Sequence, residues 1–307
     1  MRRNILRLYK QNSSVPVLFK IGIKMSKLNQ ILEITRTVAW GAADILRSHY
    51  RGNQEKLDIQ YKSGNDPVTV ADIAVSNYII QGLQAQLGND DFGYISEETY
   101  NGQPSPQEYV WVIDPLDGTR NFIQKTGEYA IHIALVHQHR PVLAVVATPE
   151  AEKIYHATLG GGTYVEYRHG KKEKLQVNPT RNLEDLILLV SRSHRSEPLD
   201  YILQHLPCQN QQNVGSVGCK IAIIVEGKAD AYISLSSKSA PKDWDIAAPE
   251  LILAEAGGKY TSYDGSTLVY NTDDINKWGG FVASNGKYHS ELCHQAANLL
   301  AQWHGQE

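Results

Sequence analysis

Cysteine is nearly absent: three in 307 residues, Cys208, Cys219 and Cys293, with no C-x-x-C pair among them. That excludes a disulfide framework and a thiolate zinc site, and it fits reduced thiols in a reducing, cytoplasmic compartment. No apolar run approaches the ~20 residues that span a bilayer, so a membrane partner is not expected. Neither charge dominates, with a net of -3, which argues against nucleic acid as a partner. No internal repeat and no low-complexity tract is visible. What remains is a chain long enough to bury a large core as one big or two medium units.

The one compositional anomaly is at the start. Residues 1–24 carry six basic residues and no acidic one. A targeting leader, a basic arm, or an over-long start ahead of Met25 would each look like this. Met25 is followed by SKLNQILEITRTVAW, a good helix start, and we treat 1–25 as an extension, disordered or mis-started. Apolar residues from Leu28 to Leu46 at three-four spacing predict a helix over 26–50. A second helix is expected over 69–87, with Val70, Ile73, Ala74, Ile80 and Leu83 as its apolar face. Strands follow at 91–98 and 109–113, then a meander at 130–136, 142–148, 153–159 and 161–167. Further on come strands at 187–194 and 229–235, helices at 217–226 and from Asp245 to the Gly257-Gly258 cap, and a terminal helix at 287–303. Strands and helices in mixed order predict an α+β layered protein, divided here into an N-terminal half (26–180) and a C-terminal half (181–307).

Acids recur where apolar segments end or begin. Glu97 and Glu98 follow YIS, Asp114 and Asp117 follow WVI, and Asp245 follows Trp244. Carboxylates converging on one point repel unless cations lie between them. Hard divalent cations prefer such oxygen donors. Pro115-Leu116 turns the chain between the two aspartates, so both, with the Leu116 carbonyl, can face one site. Gly118-Thr119 then lets backbone N–H groups approach an anion and supplies a hydroxyl that can hold a water. This is equipment for metal-assisted hydrolysis of a phosphate ester.

DPLDGTRNF (114–122), WDIAAPELILAEAGG (244–258) and DPVTVAD (66–72) together resemble the inositol monophosphatase-like superfamily of Mg²⁺-dependent, lithium-sensitive phosphatases. The resemblance runs from about residue 27 to the C-terminus. It implies an α/β/α/β/α sandwich and two or three Mg²⁺ per site. It also implies Glu97, Asp114, the Leu116 carbonyl, Asp117 and Asp245 as metal ligands, with Glu97 and Asp117 essential to catalysis. Thr119 would orient the attacking water with Asp66 as its acidic partner, and Gly118 and Thr119 would hold the phosphate. Glu98 would support the site or a further metal, while Asp72 reads as a structural, helix-facing residue.

LVSRSH (189–194) and GSVGCKIAIIVEGKADAY (215–232) are similar to the 3'(2'),5'-bisphosphate nucleotidases of that superfamily. This implies a small adenosine bisphosphate substrate gripped by Ser193, His194, Ser216 and Lys220. Asp66 directly before Pro67 is instead the inositol monophosphatase arrangement, and the loop before Trp244, with Lys238 and Lys242, is longer than expected. The enzyme alternatives are therefore inositol monophosphatase and fructose-1,6-bisphosphatase. The non-enzyme alternative is a phosphometabolite-binding regulator, and the implied assembly is a monomer or homodimer.

Overall fold

The computed structural model describes residues 25–52, 59–61, 67–88 and 91–305. The chain begins with helix α1 (Met25–Arg51), a short hairpin of β1 (Ile59–Tyr61) and β2 (Pro67–Thr69), and helix α2 (Val70–Leu87). Seven strands follow, with α3 (Thr119–Ile123) between the second and third: β3 (Phe92–Ser96), β4 (Tyr109–Asp117), β5 (Ala130–His137), β6 (Arg140–Thr148), β7 (Lys153–Thr158), β8 (Gly162–Tyr167) and β9 (Lys172–Leu175). They lie side by side in chain order, with β3 parallel to β4 and the rest antiparallel.

The remainder is β10 (Ile187–Ser191), α4 (Glu197–His205), β11 (Asn210–Val214), α5 (Val217–Val225), β12 (Ala231–Leu235), α6 (Asp243–Glu255), β13 (Lys259–Ser262), β14 (Gly280–Ser284) and α7 (His289–His304). Its five strands form a second, mixed sheet in the order β11-β10-β12-β14-β13.

Strand period two decides the layering. Trp111, Ile113, Ile131, Ile133 and Leu135 face one way and pack on Leu28, Ala39 and Leu46 of α1 and Val75, Ile79 and Leu83 of α2. Val110, Val112, Ala134 and Val136 face the other way, onto Ile221 and Ile224 of α5 and Ala247 and Leu251 of α6. Leu189, Tyr232 and Phe281 of the second sheet close that same core. On the far face of the second sheet, Leu188, Ile233 and Val282 meet Leu199 and Leu203 of α4 and Leu292 and Ala296 of α7. The order is α/β/α/β/α. Both faces of the large sheet are covered, which is why β4, β5 and β6 read as near-continuous apolar runs.

Several elements depart from the sequence expectation. The buried stripe of α2 is Ala71, Asp72, Val75, Ser76, Ile79 and Leu83. Val70 and Ile73, expected on the apolar face, are 36% and 45% exposed. Both stripes have helical spacing, and only the position of the sheet chooses between them. Helix α6 begins at Asp243, two residues before Asp245. Helix α4 and strands β9, β11 and β13 were not foreseen; β9 and β11 are short and largely polar, with little periodicity to read. Among the described residues, no helix is long and apolar enough to cross a membrane.

Candidate active site

The DPLDGT motif (114–119) sits at a defect in the large sheet. Asp114 pairs with His132 on β5, but Asp117 pairs with Ala130, so β4 carries one extra residue there. In a regular strand, residues three apart point to opposite faces. The extra residue restores Asp114 and Asp117 to the same face, the one that looks at α6. The Asp114 carboxylate accepts the Leu116 amide at 2.9 Å, closing the turn around Pro115. Gly118 then takes φ +91, a left-handed conformation that ends the strand and starts α3 at Thr119.

Asp245 arrives from the first turn of α6, where its Oδ2 accepts the Lys242 amide at 2.5 Å. Ligand oxygens of Asp114, Asp117 and Asp245 lie within 4.8 Å of one another. Glu97, at the end of β3, lines the same cavity of about 210 Å³. Glu98 does not line it; its charge is felt by Asp72.

The electrostatics show how costly this cluster is. Burial, then the charges of Glu97, Asp117 and Asp245, push Asp114 well above the usual carboxylate range. Burial, with Glu97 and Asp117, pushes Asp245 up to about 7. Burial also acts on Asp117, but is outweighed by His132, the Ser216 hydroxyl and the Gly218 amide, which hold it at about 2. The all-oxygen donor set with its uncompensated charge fits a hard divalent cation.

A testable consequence follows for stability. Asp245 is raised from 3.8 to about 7 in the fold, so the metal-free protein prefers it protonated. That contribution is complete below about pH 3.8 and is lost as pH rises through about 7. A divalent cation binds the ionised form. The rise in melting temperature caused by Mg²⁺ is therefore expected to be larger at about pH 8 than at about pH 5.5. Equal rises at both would contradict it.

Thr119 lies beside the carboxylates. Its hydroxyl is 3.3 Å from Asp72 Oδ1 and 3.2 Å from the Leu116 carbonyl. The other Asp72 oxygen accepts from the Thr69 amide at 2.8 Å and the Thr69 hydroxyl at 2.6 Å, as part of the capping box of α2. Burial raises Asp72 to about 6, with Glu98 and Glu97 adding to it against the Thr69 hydrogen bonds. The acidic partner of Thr119 among the described residues is Asp72, which the sequence suggests as a structural, helix-facing residue. Asp66, expected in that role, lies outside the described residues. The signal that could have found Asp72 is T-x-x-D across 69–72, a capping box that seats an acid in the first turn.

The expected substrate contacts divide. Gly118, Thr119, Ser193, His194, Ser216 and Lys220 all line the cavity. Ser193 and His194 are exposed at its mouth. The Ser216 hydroxyl is committed elsewhere: it donates to Asp117 at 2.5 Å and accepts the Cys219 amide at 3.2 Å as cap of α5. Lys220 is buried rather than solvated. Its ammonium donates to the Gly215 and Ser216 carbonyls at 2.9 and 3.3 Å and lies 4.7 Å from the Tyr232 ring centre. It therefore holds the 215–216 turn, in which Ser216 has φ +33. Burial lowers Lys220 to about 8, with Asp117 opposing that shift.

Two residues that sequence reasoning missed support this turn and the loop before it. Glu128 accepts the Gly215 amide at 2.7 Å, and Arg192 forks onto Glu128 at 3.0 and 2.8 Å. Arg120 and Lys242 also line the cavity. Cys219 is not activated: burial pushes its thiol up to about 12.

The inositol monophosphatase family pattern matches residues 27–301. The chain belongs to that family. It is similar to the 3'(2'),5'-bisphosphate nucleotidase CysQ of Salmonella typhimurium, 32% identical over 79% of this chain and 93% of that protein. The CysQ of Escherichia coli K12 is 32% identical over 84% of this chain and 99% of its own length. Solved structures agree in fold. An IMPase of Thermotoga maritima superposes with a TM-score of 0.74 at 22% identity, covering 91% of this chain and 99% of that one. CysQ of Bacteroides thetaiotaomicron, described as a bacterial member of the family, superposes at 0.67 with 26% identity, covering 83% and 97%. The acidic cavity is accordingly the candidate metal centre of a phosphatase of this family.

Proposed function

We propose that the protein is a Mg²⁺-dependent phosphomonoesterase acting on 3'-phosphoadenosine 5'-phosphate, releasing AMP and phosphate. The observation that carries the reaction class is the convergence of Asp114, Asp117 and Asp245 within 4.8 Å, beside the Thr119–Asp72 pair. Glu97, Asp114, Asp117, Asp245 and the Leu116 carbonyl would hold the cations. When bound, these polarise the phosphoryl oxygens and acidify water.

The chain's own groups do the rest. Thr119 has one hydroxyl hydrogen, directed at Asp72 or the Leu116 carbonyl, and its lone pairs can accept a hydrogen from the attacking water. Asp72, raised to about 6, is poised to take the proton near neutrality. The water oxygen bonds to phosphorus as the ester P–O bond breaks, and the leaving oxygen takes a proton from solvent. No covalent enzyme intermediate is needed. The Gly118-Thr119 backbone holds the phosphate at the mouth of α3.

Two features support the nucleotide over a sugar phosphate: the likeness to the CysQ nucleotidases and the make-up of the cavity. Trp244 and Tyr232 are among the residues lining it, and Arg120 and Lys242 line it with cations for a second phosphate. Ser193 and His194 remain the mouth contacts in this reading. Phosphate release with Mg²⁺ is the test, run in parallel on 3'-phosphoadenosine 5'-phosphate, inositol 1-phosphate and fructose 1,6-bisphosphate, with and without lithium. The expected preference for the nucleotide is about tenfold or more in kcat/KM, some 1.4 kcal/mol. A preference for inositol phosphate overturns the substrate, and no release from any of them overturns the reaction.

A further inference from the structure

His132 stands alone on its face of β5. Its neighbours there, Ala130, Ala134 and Val136, are core residues, and the ring itself has no exposed surface. A polar ring in that position is tolerated only with partners. Nδ1 lies 3.2 Å from the main-chain carbonyl of Trp244, which can only accept, so Nδ1 carries a hydrogen. Nε2 lies 3.2 Å from Asp117 Oδ2. That contact sets the ring edge against the carboxylate without an aligned hydrogen bond.

The ring therefore touches the cluster from three sides. It is the cross-strand partner of Asp114, it faces Asp117, and it grips the residue immediately before Asp245. Asp117 Oδ2 also accepts from Ser216 at 2.5 Å and the Gly218 amide at 3.0 Å. Those two are aligned hydrogen bonds, and His132 adds a close charge-facing contact. With Oδ2 filled, Oδ1 is the oxygen presented to the cavity. Helix α5 is shaped around the ring: a Cβ at Gly218 would lie 2.4 Å from Nε2 and 2.8 Å from the Ala130 Cβ.

We infer that His132 is a positioning residue of the metal centre, tying β4 to the first turn of α6 so that Asp114, Asp117 and Asp245 are presented at one point. It touches neither the cation nor the substrate. The inference rests on the reading of these carboxylates as a divalent-cation site. Groups that orient metal ligands from behind typically carry 10–100-fold in affinity.

The test uses the full chain and Mg²⁺ alone, by titration calorimetry, on wild type, His132→Phe and His132→Asn. His132→Phe is expected to weaken Mg²⁺ binding about 10–100-fold. The Mg²⁺ concentration for half-maximal phosphate release should rise by the same factor, while the substrate KM at saturating Mg²⁺ stays near wild type. His132→Asn has a donor but cannot span both acceptors, and should fall between. Folded variants with wild-type Mg²⁺ affinity overturn the inference and leave the metal site standing. Wild type that binds no Mg²⁺ overturns the metal site itself. Should neither variant fold, the imidazole ¹⁵N signals of wild type decide. Ring signals that shift as Mg²⁺ is added support the role; signals indifferent to Mg²⁺ in a protein that binds it overturn it.

Discussion

Asp117→Asn is expected to lower kcat by about 10³-fold or more, since a cation's contribution of several kcal/mol is worth tenfold per 1.4 kcal/mol. The amide cannot serve both sides of this residue. Oδ2 accepts from Ser216 and Gly218, and the His132 ring lies 3.2 Å away. An amide keeping its oxygen there turns NH₂ into the cavity, where it cannot ligate a cation. An amide turned the other way meets the Gly218 N–H and the imidazole with a donor of its own. The global fold should survive, because the core around the site is apolar and continuous on both faces of the sheet. Melting should drop somewhat, since the Ser216 hydroxyl and Gly218 amide lose a charged acceptor. Circular dichroism establishes the fold, calorimetry the lost Mg²⁺ binding, and phosphate release the loss of rate. Near-normal turnover in a folded variant would remove Asp117 from the metal centre.

Asp72→Asn should cost about 10²–10⁴-fold in kcat, the usual range for a positioned general base, while Mg²⁺ affinity stays close to wild type. That split separates it from Asp117→Asn. Thr119→Val should cost a similar amount, and the double variant little more than either alone, because the two groups act as one relay. Full additivity would mean that they act separately. The wild-type rate should fall on the acid side, since the base works as a carboxylate and that form is lost as pH drops through about 6. Cations held at Glu97 offset part of the charge that raises Asp72, so the limb lies at or below that value. Asp72→Asn should abolish that limb, and an unchanged limb would assign it to another group. Full activity of Asp72→Asn would return the base role to another acid, and Asp66→Asn is the control.

Asp72 shows where sequence reading falls short, whereas Asp66 lies outside the described residues. Both lie in DPVTVAD. Placing Asp72 required knowing which stripe of α2 is buried. The apolar count favoured Val70, Ile73 and Ile80, whereas the sheet covers Asp72, Val75, Ser76 and Ile79. Asp72 reads as structural in the sequence because this helix has two acceptable faces, not because the motif is weak. Lys220 is a related case: it lines the cavity, as expected, but its ammonium is turned to main-chain carbonyls. On helical spacing alone a lysine looks solvated or turned to substrate, yet here it folds back onto carbonyls four and five residues earlier.

Residue type and order determined the ligand chemistry by themselves. A Val/Ile run ending in D-P-L-D-G-T can finish a buried strand only by turning its acids toward something that offsets their charge. The meander of β5 to β8 was legible too, because strands covered on both faces write themselves as apolar runs. Tertiary structure alone decided the rest. The extra residue in β4 put two aspartates of opposite parity on one face. The packing of α6 brought Asp245 to them from 128 positions further along the chain than Asp117. The sheet's choice of the α2 stripe delivered Asp72 to Thr119. Sequence specifies what each segment can do locally, but a shared site is a meeting of segments, and which faces meet is set by the burial of the whole core.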